Sequence, residues 1–324
     1  MDSATLVDIG RHGGASRRVP MRSGSASLRT RMWRERWMYL FLLPGCLFFL
    51  VFRYVPFLGN VIAFQDYSPF LGFFNSPWVG LENFRKLLSD PDVGTAIQNT
   101  LFISVLQLIF FFPAPIALAL ILNSMLNEKA KRFMQSVLYL PHFLSWVIII
   151  ALWQQMFGGA GLLNQYLREI GAPALNIMAN PTFFKPLVVL QLIWKETGWG
   201  TIIILAALTR IDIALYEVAA MDGANSWQRL RYITLPGIRG VIVLLLILRL
   251  ATTLNTGFEQ MFLQRNAVGA AAAEVLDTFT YFHGVLDGDW GFSAAVGLVK
   301  GIFAAVLVFA ANRVAKTFGE EGAF

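Results

Sequence analysis

The chain has 324 residues, 56% of them apolar and only 14% charged. A soluble protein of this length carries nearly twice that charged fraction, so an ordinary soluble enzyme or nucleic-acid-binding protein is excluded and a single integral membrane domain is expected. The net charge is +6, and the lone cysteine, Cys46, rules out a disulfide framework or a cysteine-based metal site within the chain.

Residues 1–36 are polar and rich in Gly and Ser, with Arg11, Arg17, Arg18, Arg22, Arg29, Arg31, Arg34 and Arg36 set against three acids. A cytoplasmic tail, loosely bound to anionic lipid, is expected there. The apolar run that follows is too long for a signal peptide and has no small-residue cleavage site after it, so the first span is expected to be retained.

Residues 37–324 read as an all-α domain of six spans. Six apolar runs reach the ~20 residues that cross a bilayer core. They begin near Met38, Ala96, Val137, Leu187, Val241 and Ser293, and end near Phe64, Leu122, Phe157, Leu208, Phe262 and Val314. Pro56 in the first run, and Pro113 and Pro115 in the second, are tolerated where neighbouring helices satisfy the freed carbonyls. Between spans, residues 76–92 show an amphipathic helical pattern ended by Asp-Pro. Residues 158–184 and 263–291 are each long enough for a short helix or a cap over a cavity.

Basic residues set the orientation. The tail, Lys129, Lys131, Arg132, Arg210, Arg229, Arg231, Arg239, Arg313 and Lys316 fall in one set of connecting segments, against Arg85, Lys86, Arg168 and Arg265 in the other. Both termini are therefore expected in the cytoplasm, together with the polar loop 209–238 between spans four and five.

That loop contains YEVAAMDGANSWQRLRYITLP. Tyr216 to Gly223 reads as a short helix with Asp212 or a neighbour at its start and Glu217 in its first turn. Ala219 and Ala220 keep one face thin, and Gly223 permits a turn with positive φ. Trp227, Leu230, Ile233 and Leu235 form a second apolar set before Pro236. The expectation is a helix–turn–helix along the membrane surface that offers small residues and a fixed acid to a partner's groove. An amphipathic linker stapled to the bilayer is the plainer alternative.

Charges within spans are functional candidates because the bilayer centre penalises each by roughly 2.5–3.5 kcal/mol. Lys195 and Glu196 fall in span four, Arg249 and Glu259 in span five, and Lys300 in span six. At ~1.5 Å per residue, Lys195, Arg249 and Lys300 are expected between the midplane and the outer boundary. Arg249, Thr253, Thr256 and Gln260, spaced i, i+4, i+7 and i+11 in span five, share one helical face. Gln191, Lys195 and Trp199 do so in span four. A polar face within a span meets protein or a water-filled cavity. Trp covers apolar sugar faces, and basic groups suit uronate carboxylates. Equally, Lys195 can pair with Glu196, Glu259 or a partner subunit and serve packing.

The remaining chemistry is sparse. His12, His142 and His283 do not cluster with acids in a metal spacing, and His142 reads as structural. Asp287 and Asp289 look like turn residues. No nucleophile–base set or paired-carboxylate site is legible, so no enzyme activity is expected. There is no GxxxxGK[ST] loop for ATP.

Tyr-Glu-x-Ala-x-x-Asp-Gly-Ala followed by Ile-x-Leu-Pro, at Glu217, Ala219, Asp222, Gly223, Ala224, Ile233, Leu235 and Pro236, resembles the EAA coupling motif of ABC importer permeases. Val218 stands where a second Ala is usual. VGLENFRKLL, NTLFISVLQL, WKETGWGTIIILAAL and NTGFEQMFL are similar to the carbohydrate-type permeases, closest to the subgroup for polysaccharide-derived oligosaccharides such as alginate. The resemblance implies an inner-membrane subunit that pairs with a second homologous permease and two ATP-binding subunits. It also implies that a periplasmic solute-binding protein delivers an oligosaccharide. ATP and Mg would be held by the ATPases, with no cofactor in this chain. Glu217, Ala219, Ala220, Asp222, Gly223 and Ala224 would couple the chain to the ATPase. Lys195, Trp199, Arg249, Thr253, Thr256, Gln260 and Lys300 would line the substrate path. An ion-driven sugar transporter is the rival reading, in which the coupling motif would be idle.

Overall fold

The structure, a computed structural model, describes residue 33 and residues 35–317. Most of the basic segment 1–36 lies outside the described residues. The chain divides into two units, 1–58 and 59–324. In the first, α1 (Arg36–Phe49) runs on through Leu50–Tyr54 and Val55–Leu58 and buries no side chain. A helix that is apolar all round and exposed, with Phe41 at 85%, suits lipid rather than water.

In the second unit the described elements are helical apart from an isolated bridge between Gln65 and Trp78. They are α2 (Glu82–Ser89), α3 (Pro91–Leu106), α4 (Pro113–Asn123), α5 (Glu128–Tyr139), α6 (Trp146–Phe157), α7 (Leu162–Glu169) and α8 (Pro181–Leu208). They continue with α9 (Ile213–Met221), α10 (Ser226–Arg229), α11 (Arg239–Ala251), α12 (Phe258–Val268), α13 (Leu276–Thr280) and α14 (Trp290–Thr317), with shorter turns between. By length and composition Arg36–Phe64, Pro91–Asn123, Trp146–Glu169, Pro181–Leu208 and Trp290–Thr317 can cross a membrane. The pair Ser226–Gly237 and Arg239–Ala251, bent by 61°, adds a sixth.

Local sequence explains several boundaries. Asp90 ends α2 and caps α3 by accepting from the Asp92 amide at 2.8 Å, with Pro91 at the first helical position. Proline recurs just after widened π turns. Leu50–Tyr54 precedes Pro56, Gln107–Phe111 precedes Pro113, and Leu230–Thr234 precedes Pro236. A proline ring clashes with the carbonyl four residues back, and a widened turn moves that carbonyl aside.

α8 is the central element. Ile103 of α3, Phe184 and Val188 of α8, and Met261 of α12 form one buried cluster. Ala119 of α4, Ile204 and Leu208 of α8, and Ile238 form another. A third joins Leu87, Val93, Phe279 and Phe292 across α2, α3, α13 and α14.

Span three is not the continuous run expected over 137–157. α5 ends at Tyr139, a 3-10 turn follows over Leu140–Phe143, and α6 begins at Trp146. Pro141 removes a backbone donor, and Ser145 caps the new helix by accepting from the Ile148 amide at 3.4 Å. Span five is also interrupted. α11 stops at Ala251 and α12 starts at Phe258, after Gly257 in a left-handed conformation with φ 100°. The shared helical face expected for Arg249, Thr253, Thr256 and Gln260 therefore does not exist as a continuous stripe. The depths change as well. α8 starts at Pro181, so Lys195 lies about 21 Å along it at ~1.5 Å per residue, midway between its ends.

Candidate functional site

The site is built around the stretch ETGWGT, residues 196–201 of α8. Two glycines in a helix interior cost roughly 0.5–1 kcal/mol each, so close packing must return that cost. A Cβ on Gly198 would overlap the Leu138 carbonyl of α5, and one on Gly200 would lie 2.8 Å from Pro115 Cγ of α4. The two glycines let α8 touch both neighbours, and Trp199 stands between them.

The break in span three faces this stretch. Lys195 Nζ donates to the His142 and Leu144 carbonyls at 2.7 and 2.9 Å and lies 3.2 Å from Glu196 Oε1. An ammonium carries three donors, so Lys195 is spent on the broken helix end and on Glu196. It is 7% exposed and does not line the cavity described next. Glu196 Oε2 lies 2.7 Å from His142 Nδ1.

A cavity of about 350 Å³ opens beside Trp199. Its wall includes Gln107, Phe111 and Trp146 together with Glu196, Trp199 and Arg249. Asn255, Thr256 and Gln260 complete the polar part. Arg249, in the last turn of α11, donates to Gln107 Oε1 at 2.6 Å and lies over the Phe111 ring at 5.1 Å. No carboxylate pairs with it among the described residues. Thr256 Oγ1 and Gln260 Oε1 are buried without a protein partner, although Gln260 Nε2 donates to Gln191 Oε1 at 2.8 Å and to the Val188 carbonyl at 2.9 Å.

Trp199, Arg249, Thr256 and Gln260 thus come together even though span five is broken. Thr253 does not line the cavity; its hydroxyl donates to the Arg249 carbonyl at 3.0 Å, and its own carbonyl accepts from Ser104 at 2.6 Å. Lys300 pairs with Asp277 and lines a neighbouring cleft of about 390 Å³ with Asn255 and Thr280. Asn255 belongs to both walls. Gln107 and Asn255 were missed from sequence. A lone amide in the apolar run of span two, and an Asn beside a Gly that breaks a helix, were the available signals. Among the described residues no group of three or more His, Cys, Asp or Glu could hold a metal ion.

The loop 209–238 forms a second site. α9 begins three residues before Tyr216, at Ile213, with Asp212 accepting from the Ala214 amide at 2.9 Å. Glu217 therefore sits in mid-helix, not in the first turn. The helix closes in a Schellman motif: the Gly223 amide donates to the Ala220 carbonyl at 3.1 Å and the Ala224 amide to the Ala219 carbonyl at 2.9 Å. Gly223 takes φ 76°, as that closure requires. Asn225 and Gln228 then form a capping box that starts α10. The Tyr216 hydroxyl lies 2.9 Å from Thr234 Oγ1, tying the two arms together. Apolar side chains remain outside: Ile213 is 71% and Met221 80% exposed, with Leu215, Val218 and Trp227 also open. Glu217, Ala220 and Asp222 share that exposure, while Ala219 and Ala224 are partly covered.

Residues 111–319 match the family described as binding-protein-dependent transport system inner membrane component. The polygalacturonan/rhamnogalacturonan transport system permease protein YteP of Bacillus subtilis (strain 168) is 46% identical, covering 92% of this chain and 93% of its own. Protein LplB of the same organism is 44% identical over 90% of this chain and 92% of its own. Among solved structures, a bacterial ABC transporter involved in the import of the acidic polysaccharide alginate matches with a TM-score of 0.83. It is 34% identical over 90% of this chain and 99% of that one. A bacterial alginate ABC transporter in complex with an alginate pentasaccharide-bound periplasmic protein also gives 0.83, at 33% identity over 92% and 100%.

Proposed function

The chain belongs to the binding-protein-dependent transport system inner membrane components, and from that premise we propose that it is one permease subunit of an ATP-driven importer of acidic oligosaccharides. It works beside a second homologous permease subunit, two ATP-binding subunits and a periplasmic solute-binding protein. It lies in the bacterial inner membrane with both termini in the cytoplasm, as the distribution of basic residues favours. ATP and Mg belong to the partner ATPases, and this chain contributes the path and the coupling.

The observation that carries the substrate reading is the charge balance of the cavity. Glu196 is neutralised by Lys195, whereas Arg249 has no carboxylate partner among the described residues and stands in the wall. A site with one uncompensated guanidinium favours an anion such as a uronate. Trp199, 44% exposed, supplies an aromatic face for a sugar ring. Thr256 and Gln260 add polar groups to the same wall, with Thr256 Oγ1 and Gln260 Oε1 buried and without a protein partner.

Coupling rests on α9. Its exposed apolar residues suit a hydrophobic groove on an ATPase, where Glu217 and Asp222 would sit at the rim. Closure of the ATPases on ATP turns α9, and the cavity passes from inward-facing to outward-facing. The test is ATP hydrolysis by the whole reconstituted complex with its binding protein, screened against uronate and neutral oligosaccharides of equal length. Stimulation by uronates, lost in Arg249→Ala, is expected. Equal stimulation by neutral sugars, or uptake driven by an ion gradient with this chain alone, would overturn the reading.

A further inference from the structure

Trp199 does not stand alone in the cavity wall. The His142 ring lies parallel to its indole, with centroids 4.4 Å apart and an interplanar angle of 4°. Phe143 meets the indole edge-on at 5.7 Å and 83°. His142 is itself fixed from two directions. Its Nδ1 lies 2.7 Å from Glu196 Oε2, and its carbonyl accepts from Lys195 Nζ at 2.7 Å. His142 is absent from the cavity wall, whereas Trp199 and Glu196 belong to it.

This arrangement has a thermodynamic consequence. A half-exposed indole on a helix has rotamer freedom, and binding a sugar on its face must remove that freedom at a cost. A ring already stacked on one face restrains the indole beforehand and leaves the opposite face for a ligand. We propose that His142, on the broken turn of span three, is a positioning residue that presents the Trp199 face to the transported sugar. The inference rests on the cavity being the sugar path. It also gives the break at Pro141 a purpose: it brings an imidazole against α8 at the level of the cavity.

The experiment uses the whole importer, purified with its partner subunits, and trigalacturonate as the probe. Equilibrium binding and stimulated ATP hydrolysis are read for four variants. His142→Ala is expected to raise the half-saturating concentration about 3- to 10-fold, the range an aromatic stack supports. Saturating probe should restore the maximal rate. His142→Phe keeps a ring on the indole and is expected to stay within about twofold of the unmodified protein. His142→Asn keeps a donor for Glu196 but no ring, and should behave like His142→Ala. Trp199→Ala, run in parallel, should weaken binding at least as much. Unchanged binding in Trp199→Ala would sink the cavity reading itself. Weakened binding in Trp199→Ala with normal binding in His142→Ala would overturn the positioning role alone. So would rescue by Asn and failure of Phe. If His142→Ala does not assemble, the contrast between Phe and Asn still decides.

Discussion

Gly223 offers the sharpest test of the coupling loop, because its environment separates conformation from sterics. A Cβ built there meets nothing within 4 Å, so a side chain fits without a clash. The penalty of a substitution comes from φ 76° and from the amide that donates to the Ala220 carbonyl at 3.1 Å. Alanine in the left-handed region costs roughly 1–2 kcal/mol. Asparagine tolerates that region far better. Proline cannot reach it at all, since its ring holds φ near −65°, and it also removes the donor, worth about 0.5–1.5 kcal/mol net. It would force the turn to refold and re-aim α9. The expected series is graded. Gly223→Asn couples nearly as the unmodified protein does. Gly223→Ala loses part of its ATPase yield. Gly223→Pro inserts into the membrane but does not assemble with the ATPase. The assay is co-purification of the ATPase with membrane-extracted permease, followed by ATP hydrolysis. Normal ATPase yield with Gly223→Pro would refute the coupling role, and equal failure of Ala and Pro would refute the argument from φ.

Other substitutions test other parts of the structure. Arg249→Ala should abolish substrate stimulation of ATP hydrolysis more than basal hydrolysis, measured in proteoliposomes; equal loss of both would indicate a packing role. Lys195→Met leaves the His142 and Leu144 carbonyls without a donor and removes the cation beside Glu196, and an unsatisfied buried group costs about 1–3 kcal/mol. A marked fall in the unfolding temperature of the purified complex is expected. Gly198→Ala should impair folding, because the new Cβ would overlap the Leu138 carbonyl, whereas Gly297→Ala, with nothing within 4 Å, should be tolerated. The yield of monodisperse protein after extraction distinguishes the two.

The coupling loop was legible because its determinants are local. Asp212, Gly223 and Pro236 each act within a few residues, so spacing encodes a cap and a turn, whereas the capping box of Asn225 and Gln228 and the mid-helix place of Glu217 emerge only in the structure. The spans were legible as apolar runs, but their interruptions were not. Hydropathy averages over a window and does not register that Pro141 stops α5, or that Gly257 separates α11 from α12. The cavity was least legible. Trp199 and Arg249 stood out as polar or aromatic groups in apolar runs, but Gln107 and Asn255 acquire meaning only when α3, α8 and α11 are brought together. His142 is the clearest case. In sequence it is one His after a proline, and in space it stacks on the residue that faces the cavity.

On the proposed coupling role, α11 offers a route from the loop 209–238 to the cavity. α9 and the segment Ser226–Gly237 are joined by the Schellman turn and by the Tyr216–Thr234 hydrogen bond. Gly237 permits the Ile211 side chain to approach closely, since a Cβ there would lie 2.9 Å from Ile211 Cδ1. After a bend of 61° the chain continues into α11, whose 13 residues span about 20 Å at ~1.5 Å per residue. Arg249 stands at the far end of α11, and the loop at 252–257 lies just beyond it. A rigid helix transmits a rotation along its length, and a break absorbs it. On the proposed coupling role, a force applied to α9 enters α11 through the 61° bend at Ile238, and the part that reaches Arg249 would be taken up in the loop that holds Asn255 and Thr256. In a continuous span five the same force would pass on to α12, which is clamped by the buried amides of Gln260, Gln264 and Gln191. On that role the break would confine the motion to the wall that carries the guanidinium, with α8 and α12 as the fixed side of the cavity.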